Sequence, residues 1–202
     1  NDLIGLMDAL AVEQATLCGL SVGGMIVQGV AAQRPELVSN LILCDTAHKI
    51  GPAQGWEDRI NTVREHGLEH IADAVMERWF AAEFSEQRPN DLIAWRNMMA
   101  RTPLEGYVGT CAAIRDADLT DSTAKLTQPT LCIVGDQDGA TPPALVESTA
   151  ALISNSQFVV IKGAGHLPSV EQPQQLAAAM LAFLQPHTLQ SNRFAQGMKT
   201  RR

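Results

Sequence analysis

Four short apolar segments recur along the chain, and each is followed at once by glycine or polar residues. They occupy residues 15–18, 41–44, 131–134 and 158–161. Unbroken apolar runs of this length, ended by turn-forming residues, are typical of buried parallel strands. Apolar residues at helical spacing precede the first segment, over 3–10, and follow it, over 25–31. The alternation predicts an α/β fold with a mostly parallel sheet flanked by helices.

Residues 51–120, between the second and third segments, show helical spacing only. Gly67 separates the first two apolar stripes, and residues 102–105 (TPLE) have the form of a capping box that starts a third helix. The stripes are Trp56, Ile60 and Val63; Leu68, Ile71, Val75 and Trp79; and Leu104, Val108, Cys111 and Ile114. Such stripes pack into a core, and an insert between two parallel strands must lie over their carboxyl ends. We therefore expect a helical cap.

These patterns divide the chain into four parts. We expect residues 1–50 to form the first half of the α/β core, 51–120 the cap, 121–185 the second half of the core, and 186–202 a linker that opens a further domain. The chain contains no internal repeat.

Residues 19–24 (GLSVGG) follow the first predicted strand and precede a helix. A serine in this strand–turn–helix context fits a nucleophile elbow, in which a strained turn exposes the hydroxyl. We expect Gly19 and Gly23 to let the strand and the helix approach closely around Ser21. The helix N-terminus behind Ser21 offers N–H groups and a positive dipole end to an oxyanion.

A nucleophilic serine needs a base, and the chain has five histidines. His66 and His70 lie in a charged helical stretch, and His187 lies in a polar tail. His166 differs because it follows the fourth predicted strand, at the end where parallel sheets place catalytic groups. His166 is therefore the predicted base.

The base needs an acid that orients it, and three aspartates follow predicted strands. Asp138 is the first choice and Asp136 the reserve, both after the third strand, while Asp45 after the second strand is a third candidate. Each of them is alternatively a turn residue that accepts backbone N–H bonds. The order Ser21, Asp138, His166 is that of the α/β-hydrolases and differs from the chymotrypsin and subtilisin orders.

Composition removes several other classes of function. A net charge of −7 and a pI near 5.2 disfavour nucleic acid as a partner. No apolar run approaches a membrane span. Cys18, Cys44 and Cys132 lie in predicted buried strands and Cys111 in a predicted helix, without a CxxC pair or zinc spacing. We expect reduced core cysteines, a cytoplasmic location, and no metal or organic cofactor.

Several segments resemble known families over nearly all of residues 1–185. GLSVGGMIVQGVAAQRPELVSNLILCDTA (19–47) resembles the nucleophile region of the α/β-hydrolases, and GAGHLPSVEQP (163–173) resembles their histidine region. RWFAAEF (78–84) and TPLEGYVGTCAAIRDADL (102–119) resemble the cap of 3-oxoadipate enol-lactonases. The tail NRFAQGMKTRR (192–202) resembles the opening of 4-carboxymuconolactone decarboxylase, an enzyme that some bacteria fuse to the lactonase.

The resemblance implies hydrolysis of a small lactone that carries a carboxylate, with the Val22 N–H as one oxyanion donor. It also implies about 60 residues before residue 1, holding four strands and a His-Gly loop with the second donor. We expect these strands to be missing from this fragment.

The substrate carboxylate implies a cation in the cap. Arg78, beside Trp79, has no acid at i±3 or i±4, and Arg96 is similarly unpaired. Arg101 and Arg115 are expected to form surface ion pairs with Glu105 and Asp118, respectively. Arg78 is therefore the predicted carboxylate ligand, with a solvated surface arginine as the alternative, and Trp79 beside it is the second predicted substrate-binding residue.

Two rival functions fit the same residues. One is another serine hydrolase with this triad, such as a carboxylesterase or a carbon–carbon bond hydrolase. The other is a non-catalytic α/β-hydrolase fold that serves as a ligand receptor, or an inert fragment.

Overall fold

A single parallel sheet forms the centre of the protein. The computed structural model describes residues 1–185, so the predicted linker and domain opening at 186–202 lie outside the described residues. The strands are β1 (Ala15–Leu20), β2 (Val38–Cys44), β3 (Thr130–Gly135) and β4 (Ser156–Ile161). They pair in the order β1-β2-β3-β4, all parallel. Each strand contains one of the predicted apolar segments, and the predicted parallel sheet is confirmed.

One helix precedes β1, and helices follow each strand. They are α1 (Asp2–Ala9), α2 (Val22–Gln33), α3 (Ala53–His66), α4 (Glu69–Trp79), α5 (Ala82–Gln87), α6 (Pro89–Ala100), α7 (Leu104–Asp116), α8 (Thr120–Thr123), α9 (Pro143–Leu152), α10 (Pro168–Glu171) and α11 (Pro173–Leu184), with one 3-10 turn at Pro35–Leu37. Helix α2 ends before Pro35, because proline displaces the preceding residue from the α region. Within residues 1–185, none of these helices has the length and apolarity that a membrane span requires.

The two central strands of the sheet, β2 and β3, are covered on both faces. Along β2, Leu41 and Leu43 pack into one apolar cluster, while Ile42 and Cys44 pack into another. The two faces alternate because successive side chains of a strand point to opposite sides. Burial on both faces explains why β3 and residues 41–44 of β2 are unbroken apolar runs, whereas β1 leaves Thr16 and Cys18 exposed on one face.

The helices α3 to α7 lie between β2 and β3 and form the cap. Their predicted stripes meet in a separate apolar core, and the cap also rests on the sheet through a small seam in which Ile114 packs with Met25 and Ala47. The core of the cap includes Ile60, Val63, Leu68, Val75, Val108 and Cys111, with the half-buried Trp56, Ile71, Trp79 and Leu104 against it.

The predicted capping box at residues 102–105 is wrong. Helix α7 begins at Leu104 after Pro103, without a side-chain cap. The Thr102 hydroxyl instead donates to the carbonyl of Met98, in the last turn of α6. The short connection between α6 and α7 places Thr102 against the end of the preceding helix, and its hydroxyl is used there.

The cysteine predictions hold except at Cys18. Cys44, Cys111 and Cys132 are buried, Cys18 is exposed, and none of the four forms a disulfide. Cys18 lies on the same face of β1 as Thr16, and both are exposed, so the described residues leave this part of the face uncovered.

Candidate active site

Four polar side chains follow the carboxyl ends of the four strands. Ser21 comes directly after β1, Asp45 directly after β2, Asp138 in the loop after β3 and His166 in the loop after β4. Because parallel strands end at the same edge of a sheet, these residues share one edge. The cap lies over this edge, since cap and core residues line one cavity there.

Ser21 occupies a strained turn. Its backbone has φ 54° and ψ −122°, in the positive-φ region that side chains disfavour. Its N–H donates to the Cys44 carbonyl at 3.0 Å, and its own carbonyl accepts from Thr46 Oγ1 at 2.6 Å. These two bonds to the end of β2 hold the turn in place. Thr46, which is fully buried, was not identified from the sequence.

The glycines around Ser21 differ in how closely neighbouring atoms approach them. A Cβ on Gly19 would lie 2.3 Å from the Gly23 carbonyl oxygen, and a Cβ on Gly24 would lie 2.3 Å from the Thr46 side chain. A Cβ on Gly23 would meet nothing within 4 Å. The prediction that Gly19 and Gly23 permit the close approach is therefore right for Gly19 and wrong for Gly23, because the tight contact falls on Gly24.

The Val22 N–H is free to bind an anion. Helix α2 begins at Val22, and the N–H groups of Gly24 and Met25 donate to the Ser21 carbonyl. Within residues 1–185, no acceptor lies in hydrogen-bonding geometry with the Val22 N–H. The first N–H groups of a helix lack partners within the helix, so this donor is available beside the serine.

Asp138 and His166 form a buried pair. His166 Nδ1 lies 2.9 Å from Asp138 Oδ2, and both side chains are almost fully buried. The same Asp138 carboxylate accepts the Thr141 hydroxyl at 2.6 Å and the N–H groups of Thr141 and Ala140 at 3.0 and 2.7 Å. Burial by itself would raise the pKa of Asp138, but the bonds from His166 and Thr141 hold that pKa below its ordinary value.

The reserve aspartate, Asp136, has a different position. Its Oδ1 accepts the N–H groups of Gly163 at 2.8 Å and Ala164 at 3.4 Å. These bonds join the loop after β3 to the loop after β4. Asp136 thus has the turn-stabilising role that the sequence left as its alternative, and the contact with His166 belongs to Asp138.

The third aspartate, Asp45, lies beside the pair. It is fully buried, and its Oδ1 accepts the Gly135 N–H at 2.9 Å. Burial raises the pKa of Asp45 to about 9, and the nearby charge of Asp138 adds to the effect. Asp45, Asp138 and His166 each place one polar atom within 4.8 Å of the others. A metal ion would find three ligand atoms there, but two of them already bond to each other.

Ser21 and His166 open onto a common cavity of about 480 Å³ between cap and core. Among the described residues no hydrogen bond joins the Ser21 hydroxyl to His166, although both line the cavity. The remaining lining includes Leu20, Val22, Ile50, Trp56, Arg59, Val75, Arg78, Trp79, Thr102, Tyr107, Thr110, Cys111, Ile114, Thr141 and Leu167.

The two cap residues predicted for substrate binding both reach this cavity. The Trp79 ring lies 6.3 Å from the His166 ring between centroids, and the Trp79 carbonyl accepts the His166 N–H at 2.7 Å. Arg78 is exposed, and its Nε donates to the Gly139 carbonyl at 3.2 Å. In the described part of the chain no carboxylate forms an ion pair with Arg78.

The sequence predictions for the other three arginines are wrong: Arg96 was expected to be unpaired, and Arg101 and Arg115 were expected to pair with Glu105 and Asp118. Arg96 is paired, because Asp73 and Glu69 reach it from the neighbouring helix α4. Arg115 pairs with Glu57 and Asp116, not with Asp118, which binds Lys49 instead. For Arg101 and Glu105, no ion pair is found within residues 1–185. Counting acids along one helix misses partners that packing brings from another.

Arg59 was missed by the sequence analysis, although it meets the criterion that selected Arg78. Its i±3 and i±4 neighbours are Gly55, Trp56, Thr62 and Val63, so it also lacks an acid on its own helix. The half-buried guanidinium lies 5.3 Å from the centroid of the Trp56 ring, and Nη1 donates to the Tyr107 hydroxyl at 3.4 Å. Like Arg78, it lines the cavity and forms no ion pair with any described residue.

Glu171 was also missed, although it lies in the histidine segment. Its Oε1 accepts the Gly165 N–H and its Oε2 accepts the Ala81 N–H, each at 2.8 Å. The loop before His166 is thereby tied to the connection between α4 and α5 in the cap. Burial raises the pKa of this carboxyl above its ordinary value.

The parallel sheet, with Ser21, Asp138 and His166 at the carboxyl ends of its strands, is the arrangement of a known fold family. The chain belongs to the α/β-hydrolase fold family, whose model matches residues 2–173. It is 37% identical over 184 residues to 3-oxoadipate enol-lactonase 2 of Acinetobacter baylyi, covering 91% of this chain and 68% of that protein. It is 31% identical to 3-oxoadipate enol-lactonase 1 of the same organism, over 91% of this chain and 69% of the relative.

Solved structures agree with this assignment. The crystal structure of the enol-lactonase from Burkholderia xenovorans superposes with a TM-score of 0.86 at 34% identity, over 91% of this chain and 70% of that one. A thermophilic esterase from Thermogutta terrifontis, solved with malate bound, gives a TM-score of 0.83, also at 34% identity, over 91% and 69% of the two chains.

Proposed function

We propose that this protein is a serine hydrolase that opens the lactone ring of 3-oxoadipate enol-lactone to give 3-oxoadipate, in the β-ketoadipate pathway of aromatic degradation. The observation that carries the proposal is the buried Asp138–His166 pair, which opens with Ser21 onto one cavity under the cap. The similarity to two enol-lactonases supports the choice of substrate.

The proposed mechanism uses the groups at the edge of the sheet. Ser21 Oγ attacks the lactone carbonyl while His166 Nε2 takes its proton. Asp138 accepts a bond from Nδ1–H, which fixes the tautomer and stabilises the imidazolium. The Val22 N–H donates to the oxyanion. The ring C–O bond breaks, the enol oxygen leaves with a proton from His166, and water then hydrolyses the acyl-serine with His166 again as base.

The substrate carboxylate needs a cation, and the cavity offers two. Arg78, as predicted from the sequence, and Arg59 both line it without an ion-pair partner among the described residues. A guanidinium binds a carboxylate through paired N–H donors. Trp79 is proposed to form part of the wall against the lactone ring, because its ring lies beside His166.

A substrate panel tests the proposal. The purified protein should hydrolyse 3-oxoadipate enol-lactone with a kcat/KM exceeding that for neutral lactones and aryl esters of similar size by at least about tenfold, the worth of one hydrogen bond to a charged group. Equal or better turnover of the neutral esters would contradict the lactonase assignment and leave the hydrolase class standing.

The second candidate is a carboxylesterase, which the likeness to the Thermogutta terrifontis esterase favours. The same panel distinguishes the two, because an esterase prefers the neutral esters. Absence of turnover with every substrate, together with saturable binding of one of them, would favour a ligand receptor.

A further inference from the structure

Asp45 is a buried acid that the proposed mechanism does not use. It follows β2 directly, between the strands that carry Ser21 and Asp138, and its backbone has a left-handed φ of 48°. Its N–H donates to the Ile133 carbonyl at 2.8 Å, and its Oδ1 accepts the Gly135 N–H at 2.9 Å. Its other oxygen, Oδ2, is buried without any hydrogen-bond partner among the described residues.

The surroundings of Asp45 are acidic. Its titratable neighbours are Asp138 and His166 at the edge of the sheet, Glu171 on α10, and Cys44 at the end of β2. No lysine or arginine in residues 1–185 forms an ion pair with it. Asp45 and Asp138 each place a carboxylate oxygen within 4.8 Å of the other. Two buried carboxylates at this distance do not both ionise, so one of them holds a proton.

The hydrogen bonds decide which carboxyl holds the proton. Asp138 accepts four bonds, from His166, the Thr141 hydroxyl and two backbone N–H groups, and therefore carries the charge. Asp45 accepts a single N–H. A proton on Asp45 Oδ2 would give this orphaned atom the partner that buried polar atoms almost always have.

We propose that Asp45 is a neutral carboxylic acid whose O–H donates to the Asp138 carboxylate, which makes Asp45 a positioning residue for the Asp138–His166 pair. This inference rests on the proposed triad. Neutral Asp45 leaves one negative charge on the two aspartates and adds a donor that fixes Asp138 against His166. Loss of its proton at alkaline pH would add a second negative charge beside the pair.

The first test compares two variants at Asp45. Asp45→Ala removes the donor, and kcat for an activated ester should fall about 10- to 100-fold, the worth of a hydrogen bond to a charged group. Asp45→Asn keeps the shape, supplies an N–H donor and tolerates a left-handed φ, so it should restore kcat to within about threefold of the wild type. Equal losses in both variants would overturn the positioning role.

The second test is the pH dependence of unfolding. The pKa of Asp45 is raised to about 9, so between the ordinary aspartate value near 4 and pH 9 the folded state holds one more proton than the unfolded state. Stability then decreases as pH rises through this window. From pH 6 to 8 the unfolding equilibrium constant of the wild type should rise by up to about tenfold per pH unit more than that of Asp45→Asn.

Asp136→Asn is the matched control, because Asp136 bonds to the loop after β4 and not to the pair. It should keep the wild-type pH dependence of unfolding. An identical pH dependence in the wild type and Asp45→Asn would show that Asp45 is ionised and would overturn the proposal. The unfolding measurement needs no activity, so it stands even if Ser21→Ala remains active and the proposed triad fails.

Discussion

At the residue scale, two aspartates that are nearly adjacent in sequence have different roles. Asp138 contacts His166, whereas Asp136 bonds to Gly163 and Ala164. The sequence narrows the choice to Asp138, Asp136 and Asp45, because each follows a strand, and it ranks Asp138 first. It cannot decide among them, because the contact with His166 depends on the path of a loop and on the hydroxyl and N–H groups of residues 140–141.

Replacing each aspartate by asparagine should separate the two roles. Asp138→Asn should lower kcat by about 10⁴-fold, since the amide favours the wrong imidazole tautomer. Asp136→Asn loses only part of a loop bond and should lower kcat less than about tenfold, from a contact worth about 1 kcal/mol. Steady-state kinetics on the lactone measure both, and a larger loss in Asp136→Asn would contradict the assignment.

The cavity arginines give a second prediction at this scale. Arg78→Ala and Arg59→Ala should each raise KM for the carboxylate-bearing lactone about tenfold or more and barely change KM for a neutral ester, because only the charged substrate loses a contact. Arg96→Ala is the control, since Arg96 is held by Asp73 and Glu69 within the cap. If either variant affected both substrates equally, that arginine would have a structural role.

At the scale of elements, the turn after β1 is held by contacts that differ from one glycine to the next. Gly24→Ala should destabilise the protein by about 1–3 kcal/mol, because its Cβ would overlap the buried Thr46 side chain. Gly23→Ala meets open space within α2 and should be neutral or stabilising by about 0.5–1 kcal/mol. Denaturant unfolding of the two variants measures the difference, and equal stabilities would contradict this description of the turn.

The elements themselves were largely predictable. Apolar runs located all four strands, because burial on both faces leaves that pattern in β2 and β3. Helical stripes located the packed faces of α3, α4 and α7, but not those of α5 and α6. The failures have a common cause. The N-terminal capping of α7 and the partners of Arg96 and Arg115 depend on neighbouring helices, and the exposure of Cys18 depends on what packs against its face of β1. These are tertiary contacts that local patterns do not contain.

At the scale of the whole molecule, the cap is joined to the loops that carry the candidate triad. The His166 N–H donates to the Trp79 carbonyl, the Gly139 N–H donates to the Arg78 carbonyl, and Glu171 bridges Gly165 and Ala81. All three connections fall on residues 78–81. They link positions that are far apart in the sequence, so no local pattern could have indicated them.

Glu171→Ala should weaken the connection between the cap and the loop before His166. It leaves two N–H groups without their acceptor, and stability should fall by about 1–3 kcal/mol, with kcat reduced because the loop before His166 loses its anchor. Glu86→Ala, on the exposed face of α5, is the control and should change neither quantity. Thermal unfolding and lactone kinetics are measured for both variants. A stable, fully active Glu171→Ala would show that the bridge made by Glu171 does not position His166.

We propose that Ser21 is the nucleophile of a lactone hydrolase, and the Ser21→Ala variant tests this role. The measurement is kcat for 3-oxoadipate enol-lactone, with thermal unfolding recorded on the same preparation. The variant should fold as the wild type does and lose at least about 10⁴-fold in kcat, because the attacking oxygen is gone while binding remains. A folded variant that kept most of its activity would contradict the claim.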